Sequence, residues 1–329
     1  MVKPLAFDAI KPIFKLYGKE DAFDWHENRD PGTHNYQLDN RLQAYRFFSQ
    51  HFNLPLIASE IPSDSEVKSY DELVAGLPKN NLTILGLARQ LAGAIRRPPI
   101  SSDPAKRIAW AAEQRTLLKN LVRYKPVEIE RLWTIATMSN GLSANAVWFK
   151  AINAPENAPV TVVLNDKGKK AAGAEVSDRV NRGEQVLAGD LIFSGDAWCE
   201  IGTSDFQQIL HGIGDRPIGM EAAQLIQMAH WIKDRSAASK LRLETNGMRN
   251  QVAALIAAAL EPNLFSEIVI REGMASLNYL LEKPVEYHEA ADLFCLDLYK
   301  EFDLDRLEAV AAPTNFVHGA YLALTPKHP

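Results

Sequence analysis

The residues with the most chemical content in this sequence are the five of Asn246-Gly247-Met248-Arg249-Asn250. They lie between a segment, Leu241 to Thr245, that reads as a strand and a run of small and aliphatic residues, Gln251 to Leu260, that reads as a helix. A sharp strand-to-helix turn of this kind can present a hydrolytic serine in the pattern Gly-x-Ser-x-Gly, the glycines letting a strained backbone pass close to its neighbours. Registering the helix on that pattern puts Met248 at the serine position and Asn246 and Asn250 at the glycine positions, asparagine being the next residue after glycine to tolerate positive φ. A thioether has no proton to lose and forms no acyl intermediate, so a turn built this way cannot run two-step ester hydrolysis.

Three further stretches extend the comparison: Pro284-Val285-Glu286-Tyr287, Asp292-Leu293-Phe294-Cys295-Leu296-Asp297-Leu298-Tyr299-Lys300, and Asp30-Pro31-Gly32-Thr33-His34-Asn35-Tyr36. Together with Glu244 to Leu255 they make the chain resemble the large bacterial acetylxylan-esterase-like proteins that carry two α/β-hydrolase-like units in tandem, the second having lost its nucleophile. The resemblance covers nearly the whole chain, although the shared motifs are not catalytic ones. It implies that residues 1–54 are the end of a first, active unit and that 125–329 are the second.

Within that resemblance, Gly32-Thr33-His34-Asn35-Tyr36 looks like the loop that presents the general-base histidine, and His34 becomes the candidate base. Read alone, His34 is a solvated or capping residue of a polar loop. An oxyanion hole would draw on the amide of Arg249 and on the loop Asn165-Asp166-Lys167-Gly168, with Lys167 and Gly168 as candidate donors; Asp166 there is unhelpful to a developing oxyanion. The second unit counts seven strands, and the first 54 residues could supply an eighth by docking on the sheet edge, bringing His34 near Met248. Asp303, Asp305 or an acid between Lys19 and Asp24 would then be available to orient the imidazole.

The elements that must position these residues follow from periodicity. Pro12 to Tyr17 reads as extended, the next residues as a polar loop, and Asp39 to Phe52 as a helix; a helical connector over 55–124 contains helices at Leu82–Ile95, with Asn80 or Asn81 as cap, and Asp103–Tyr124. From 125 onward the chain alternates: strands at Leu132–Met138, Ala146–Ile152, Val160–Leu164, Gln185–Phe193, Lys240–Thr245, Glu267–Ile270 and Ala309–Phe316. Helices fall at Ala174–Val180, Met220–Ile232, Asn250–Leu260 and Asp292–Phe302. This predicts an α/β fold, a mostly parallel sheet with helices on both faces.

Composition narrows the rest. With 47% apolar and 23% charged residues the chain is globular, and a net charge of -5 gives no footprint for nucleic acid. No apolar stretch reaches the roughly eighteen residues of a membrane span, and no secretory signal opens the sequence, so the chain as written is expected in the cytoplasm, although a longer parent could be exported. Cys199 and Cys295 read as ordinary buried thiols, and no spacing suggests a metal or a cofactor. Ser65-Glu66-Val67-Lys68 matches a Ser-x-x-Lys pattern by accident, His211 to Arg216 reads as a loop, and His230 and Trp231 read as packing residues.

Two functions remain. One is a degenerate, non-catalytic hydrolase-like domain with a structural or interaction role beside an esterase unit or a second copy of itself. The alternative is an active carboxylesterase on short acyl esters or acylated carbohydrate, with His34 as base.

Overall fold

The computed structural model describes residues 3–132, 136–198, 202–238 and 240–322; Cys199 lies outside them. The chain divides into two compact units, Met1–Asn81 and Leu82–Pro329, so the division falls inside the stretch expected as a connector.

In the first unit the expected strand over Pro12–Tyr17 is instead part of a helix, α1 (Asp8–Leu16). The correction has a local cause. Phe14 of α1 and Phe7 just before it are seven residues apart, about two helical turns, and both stack on Phe23, with ring centroids 4.6 and 4.9 Å away. An extended segment would send alternate side chains to opposite faces and lose that cluster. A second helix, α2 (Leu38–Phe52), agrees with expectation, and Arg41 grips Glu60 through two hydrogen bonds of 2.6 and 2.7 Å, with the Tyr45 hydroxyl donating to the same carboxylate. These partners pull the Glu60 carboxyl down to about 2. A short helix, α3 (Tyr70–Leu73), follows.

The second unit opens with α4 (Ile84–Ala94), capped by Thr83 and not by either asparagine, and α5 (Pro104–Leu121), where Asp103 caps and proline takes the first helical position. Its strands are β1 (Ile129–Leu132), β2 (Ala136–Met138), β3 (Ser143–Phe149), β4 (Val160–Asn165), β5 (Gln185–Asp190), β6 (Leu241–Asn246), β7 (Glu267–Arg271) and β8 (Asn315–His318). They form one sheet in the order β1-β2-β3-β5-β4-β6-β7-β8; the pairs from β1 to β5 are antiparallel, and β5-β4-β6-β7-β8 is parallel throughout. The helices are α6 (Gly173–Asn181), α7 (Thr203–Gly212), α8 (Pro217–Ser236), α9 (Met248–Leu260), α10 (Tyr279–Glu282), α11 (Leu298–Glu301) and α12 (Leu304–Val310).

Strand alternation shows that helices cover both faces. On β4, Val162 and Leu164 join the large core with α8 and α9, whereas Val163, one residue out of phase, packs with Val176 and Val180 of α6. Every residue of β4 and β5 is buried, as central parallel strands require. From Asn250 onward α9 is wholly buried, its alanines letting it pack closely against α8, α5 and α12.

Two expectations fail near the C-terminus. The predicted helix Asp292–Phe302 is only a 3-10 turn (Ala291–Leu293) and α11, because Asp297 adopts left-handed φ of 63° between them. The predicted strand Ala309–Phe316 starts late: α12 runs to Val310, capped at Asp303, and the strand begins at Asn315 after Pro313. The run from His211 to Arg216 closes α7 and leads to α8.

A charge network runs through the sheet. Arg179 bonds Glu244 at 2.7 Å and Glu184 at 3.3 Å; Arg242 bonds Glu184 at 2.8 Å and approaches Glu267 at 3.7 Å; and Arg271 pairs with Glu244.

Candidate functional site at the strand ends

Parallel α/β sheets offer their ligand crevice beyond the carboxyl ends of the strands. Here a cleft of about 670 Å³ opens at that edge, its lining including Asp166, Lys167, Glu175, Met248, Tyr279 and Lys283. The turn after β6 forms its floor. Asn246 is the last strand residue and donates to Glu175 at 2.7 Å, Gly247 bonds the Arg271 carbonyl at 2.9 Å, and Met248 is the first residue of α9.

The strained residue of this turn is Gly247, with φ 107° and ψ 166°. Asn246 and Asn250, expected in positive-φ glycine positions, are strand and helix residues with ordinary backbone. The register taken from the following helix therefore differs by one residue from the point where the backbone bends. A β-carbon built on Gly247 would lie 2.3 Å from the Asp166 carboxyl carbon, so the space a side chain would use at this point is already filled.

Asp166 fills it from the end of β4. Its carboxylate accepts from the amides of Arg249 and Asn250 at 3.0 and 2.9 Å and from the Asn250 side chain at 2.9 Å. These are orphan donors at the start of α9, where the helix dipole also favours negative charge. Desolvation pushes the Asp166 pKa up, against the downward pull of those amides.

The three candidate oxyanion donors are accordingly occupied. The Arg249 amide bonds Asp166, the Lys167 amide bonds Asn165 Oδ1 at 2.9 Å, and the Gly168 amide bonds the Asn165 carbonyl at 2.7 Å. Met248 lines the cleft and packs partly on the core. His34, in the first unit, is exposed and makes no hydrogen bond or ion pair among the described residues. Of the acids offered as its partner, Asp303 is engaged by Ser276, the Leu277 amide and the Leu304 amide, and Asp305 accepts from the Arg306 amide.

Behind the turn sits a cluster that pattern reasoning did not assemble. The Arg249 side chain is only 11% exposed; its Nε lies 2.9 Å from both oxygens of the fully buried Asp292, and its Nη2 reaches the Phe193 carbonyl at 3.3 Å and Glu221 at 3.7 Å. One guanidinium thus faces Asp166, Glu221 and Asp292. Burial, then the Asp292 charge, drives the Glu221 pKa far upward. Arg249 is held more firmly charged by Asp292 and Glu221 despite its burial. The members come from α8, α9 and the turn after α10, and no short sequence spacing links them.

Other predicted or overlooked groups lie elsewhere. Trp231 meets Trp148 edge-on at 6.1 Å and carries Arg235 on its face, a packing role. Cys295 is buried, which pushes its thiol up to about 12 and leaves it a poor nucleophile. His318 at the end of β8 pairs with Glu308 at 3.1 Å, a contact that sequence reasoning missed because the partners sit on different elements. No helix among the described residues is long and apolar enough to cross a membrane.

Among solved structures, the chain is similar to a Bacteroides fragilis protein assigned as an acetyl xylan esterase, with a TM-score of 0.58 and 11% identity over 74% of this chain and 76% of that one. It also matches acetyl xylan esterase 1 from Thermoanaerobacterium (0.38, 14%, covering 68% and 76%) and an acetyl xylan esterase from Paenibacillus (0.36, 15%, covering 68% and 78%). No family model and no curated protein matches. The first similarity, together with the strand order and the two helical layers, establishes an α/β-hydrolase-like fold.

Proposed function

We propose that this chain is a catalytically silent relative of the carbohydrate esterases, an α/β-hydrolase-like domain with a structural or interaction role. The observation that carries the reading is the Asp166 carboxylate. It occupies the space in front of Gly247 and takes up the two helix amides that would otherwise face a developing oxyanion. A negative charge fixed there opposes an incoming acyl group, and neither Gly247 nor Met248 brings a nucleophile to the bend. The partner in this reading is an esterase unit acting on acylated carbohydrate, or a second copy of the chain.

The competing reading, an active carboxylesterase with His34 as base, is separated by one experiment. The purified chain and a His34→Ala variant are assayed on p-nitrophenyl acetate and treated with a fluorophosphonate probe that labels reactive serines. The silent-domain reading expects turnover at the buffer rate and no labelling. Turnover well above buffer that collapses in His34→Ala would overturn it.

A further inference from the structure

A second cavity of about 450 Å³ lies in the same unit, apart from the cleft at the strand ends. Its walls are apolar, from Leu142, Ile192, Phe193, Phe206, Ile209 and Met220, and its polar groups are confined to Arg123, Lys125, Asn140 and Asp215. Small-molecule sites commonly span about 300–1,000 Å³ and combine such walls with a few polar groups.

Three observations point to an occupant. Phe206 and Ile209 are 52% and 58% exposed although they help to form the wall, so apolar surface there is still in water and its burial would be favourable. Phe193, only 6% exposed, holds a left-handed φ of 67°, a strained conformation for a bulky aromatic residue and one that tends to mark functional positions. The polar groups are not balanced. Lys125 is paired with Asp215, whereas Arg123 has no carboxylate partner among the described residues.

We propose that this cavity binds a small amphipathic carboxylate, an aliphatic body against Phe193, Phe206 and Ile209 with its head on Arg123. A guanidinium offers paired donors that match a carboxylate, and the charges of Arg123, Lys125 and Asp215 sum to a net positive site that prefers an anion to a neutral alcohol. Phe193 also links this site to the buried charge cluster, because its carbonyl accepts from Arg249.

The test is calorimetric titration of the whole chain with octanoate, beside octan-1-ol of the same chain length, with melting followed in parallel. Octanoate is expected to bind in the sub-millimolar range and raise the melting temperature, and octanol to bind at least tenfold more weakly. Arg123→Gln should weaken octanoate about tenfold, and Ile209→Trp, at an exposed position that tolerates bulk, should abolish binding while melting stays near that of the parent. The proposal is overturned if octanoate fails to bind at millimolar concentration, if octanol binds equally well, or if Ile209→Trp leaves the affinity unchanged.

Discussion

Two charge networks, one partly exposed and one buried, lie in the same sheet domain, and they are built on opposite arithmetic. The network through the sheet sets Arg179, Arg242 and Arg271 against Glu184, Glu244 and Glu267, three cations to three anions. The cluster behind the turn sets Arg249 against Asp166, Glu221 and Asp292, one cation to three acids. A matched set can stay fully ionised inside a protein, because each desolvated charge has a partner. An unmatched set disfavours full ionisation, and the strain falls on Glu221, whose pKa burial and the Asp292 charge drive upward. The first network therefore reads as structural reinforcement, whereas the second makes the turn sensitive to pH.

The sharpest way to break the contrast is Arg249→Met. Removing the single cation strands Asp292 and Asp166 without a counter-charge, and a loss of about 3–5 kcal/mol is expected in urea unfolding. A loss below about 1 kcal/mol would mean that the acids are neutral already and that the imbalance is only formal.

Next in size is Gly247→Ala. The new β-carbon combines positive φ with a 2.3 Å approach to Asp166, and together these should cost on the order of 3 kcal/mol. Asp166→Ala alone removes a helix cap worth about 1 kcal/mol. Combined, the two changes should cost less than their sum, since the clash and its partner vanish together. Strict additivity would show that Asp166 does not fill the space at the bend.

The smallest effect is the pH slope. A folded pKa raised above the ordinary value of 4.5 means that Glu221 stabilises fully below that value and loses its contribution as pH rises through the folded pKa. Melting temperature should therefore decline as pH rises above that ordinary value, and Glu221→Gln, which cannot titrate, should flatten the decline. An unchanged slope would assign the titration elsewhere.

Much of the fold was legible because central parallel strands announce themselves: Val160–Asn165 and Gln185–Asp190 are buried throughout, Leu241–Asn246 is largely so, and all three overlap runs that read as strands from their residues alone. Segments whose state depends on distant packing were not. Pro12–Tyr17 carries extended-looking residues, yet Phe23 decides its helix from outside the window. At the turn, sequence identified the strand and the helix and marked Asp166 as an awkward acid, but it assigned the positive-φ positions to Asn246 and Asn250 and not to Gly247. It could not show that Asp166 reaches across from β4 to α9, because that contact joins residues more than eighty positions apart.

The same reach has a consequence for amide exchange. First-turn amides of a helix ordinarily have no intrahelical acceptor and trade their hydrogens with solvent quickly. Those of Arg249 and Asn250 are bonded to Asp166 in the turn after the neighbouring strand β4, so they should exchange as slowly as the helix interior. In Asp166→Ala they should revert to fast exchange while the rest of α9 stays protected. The start of this helix is thus fastened as firmly as its middle, and the anchor is one carboxylate borrowed from the turn after the adjacent strand.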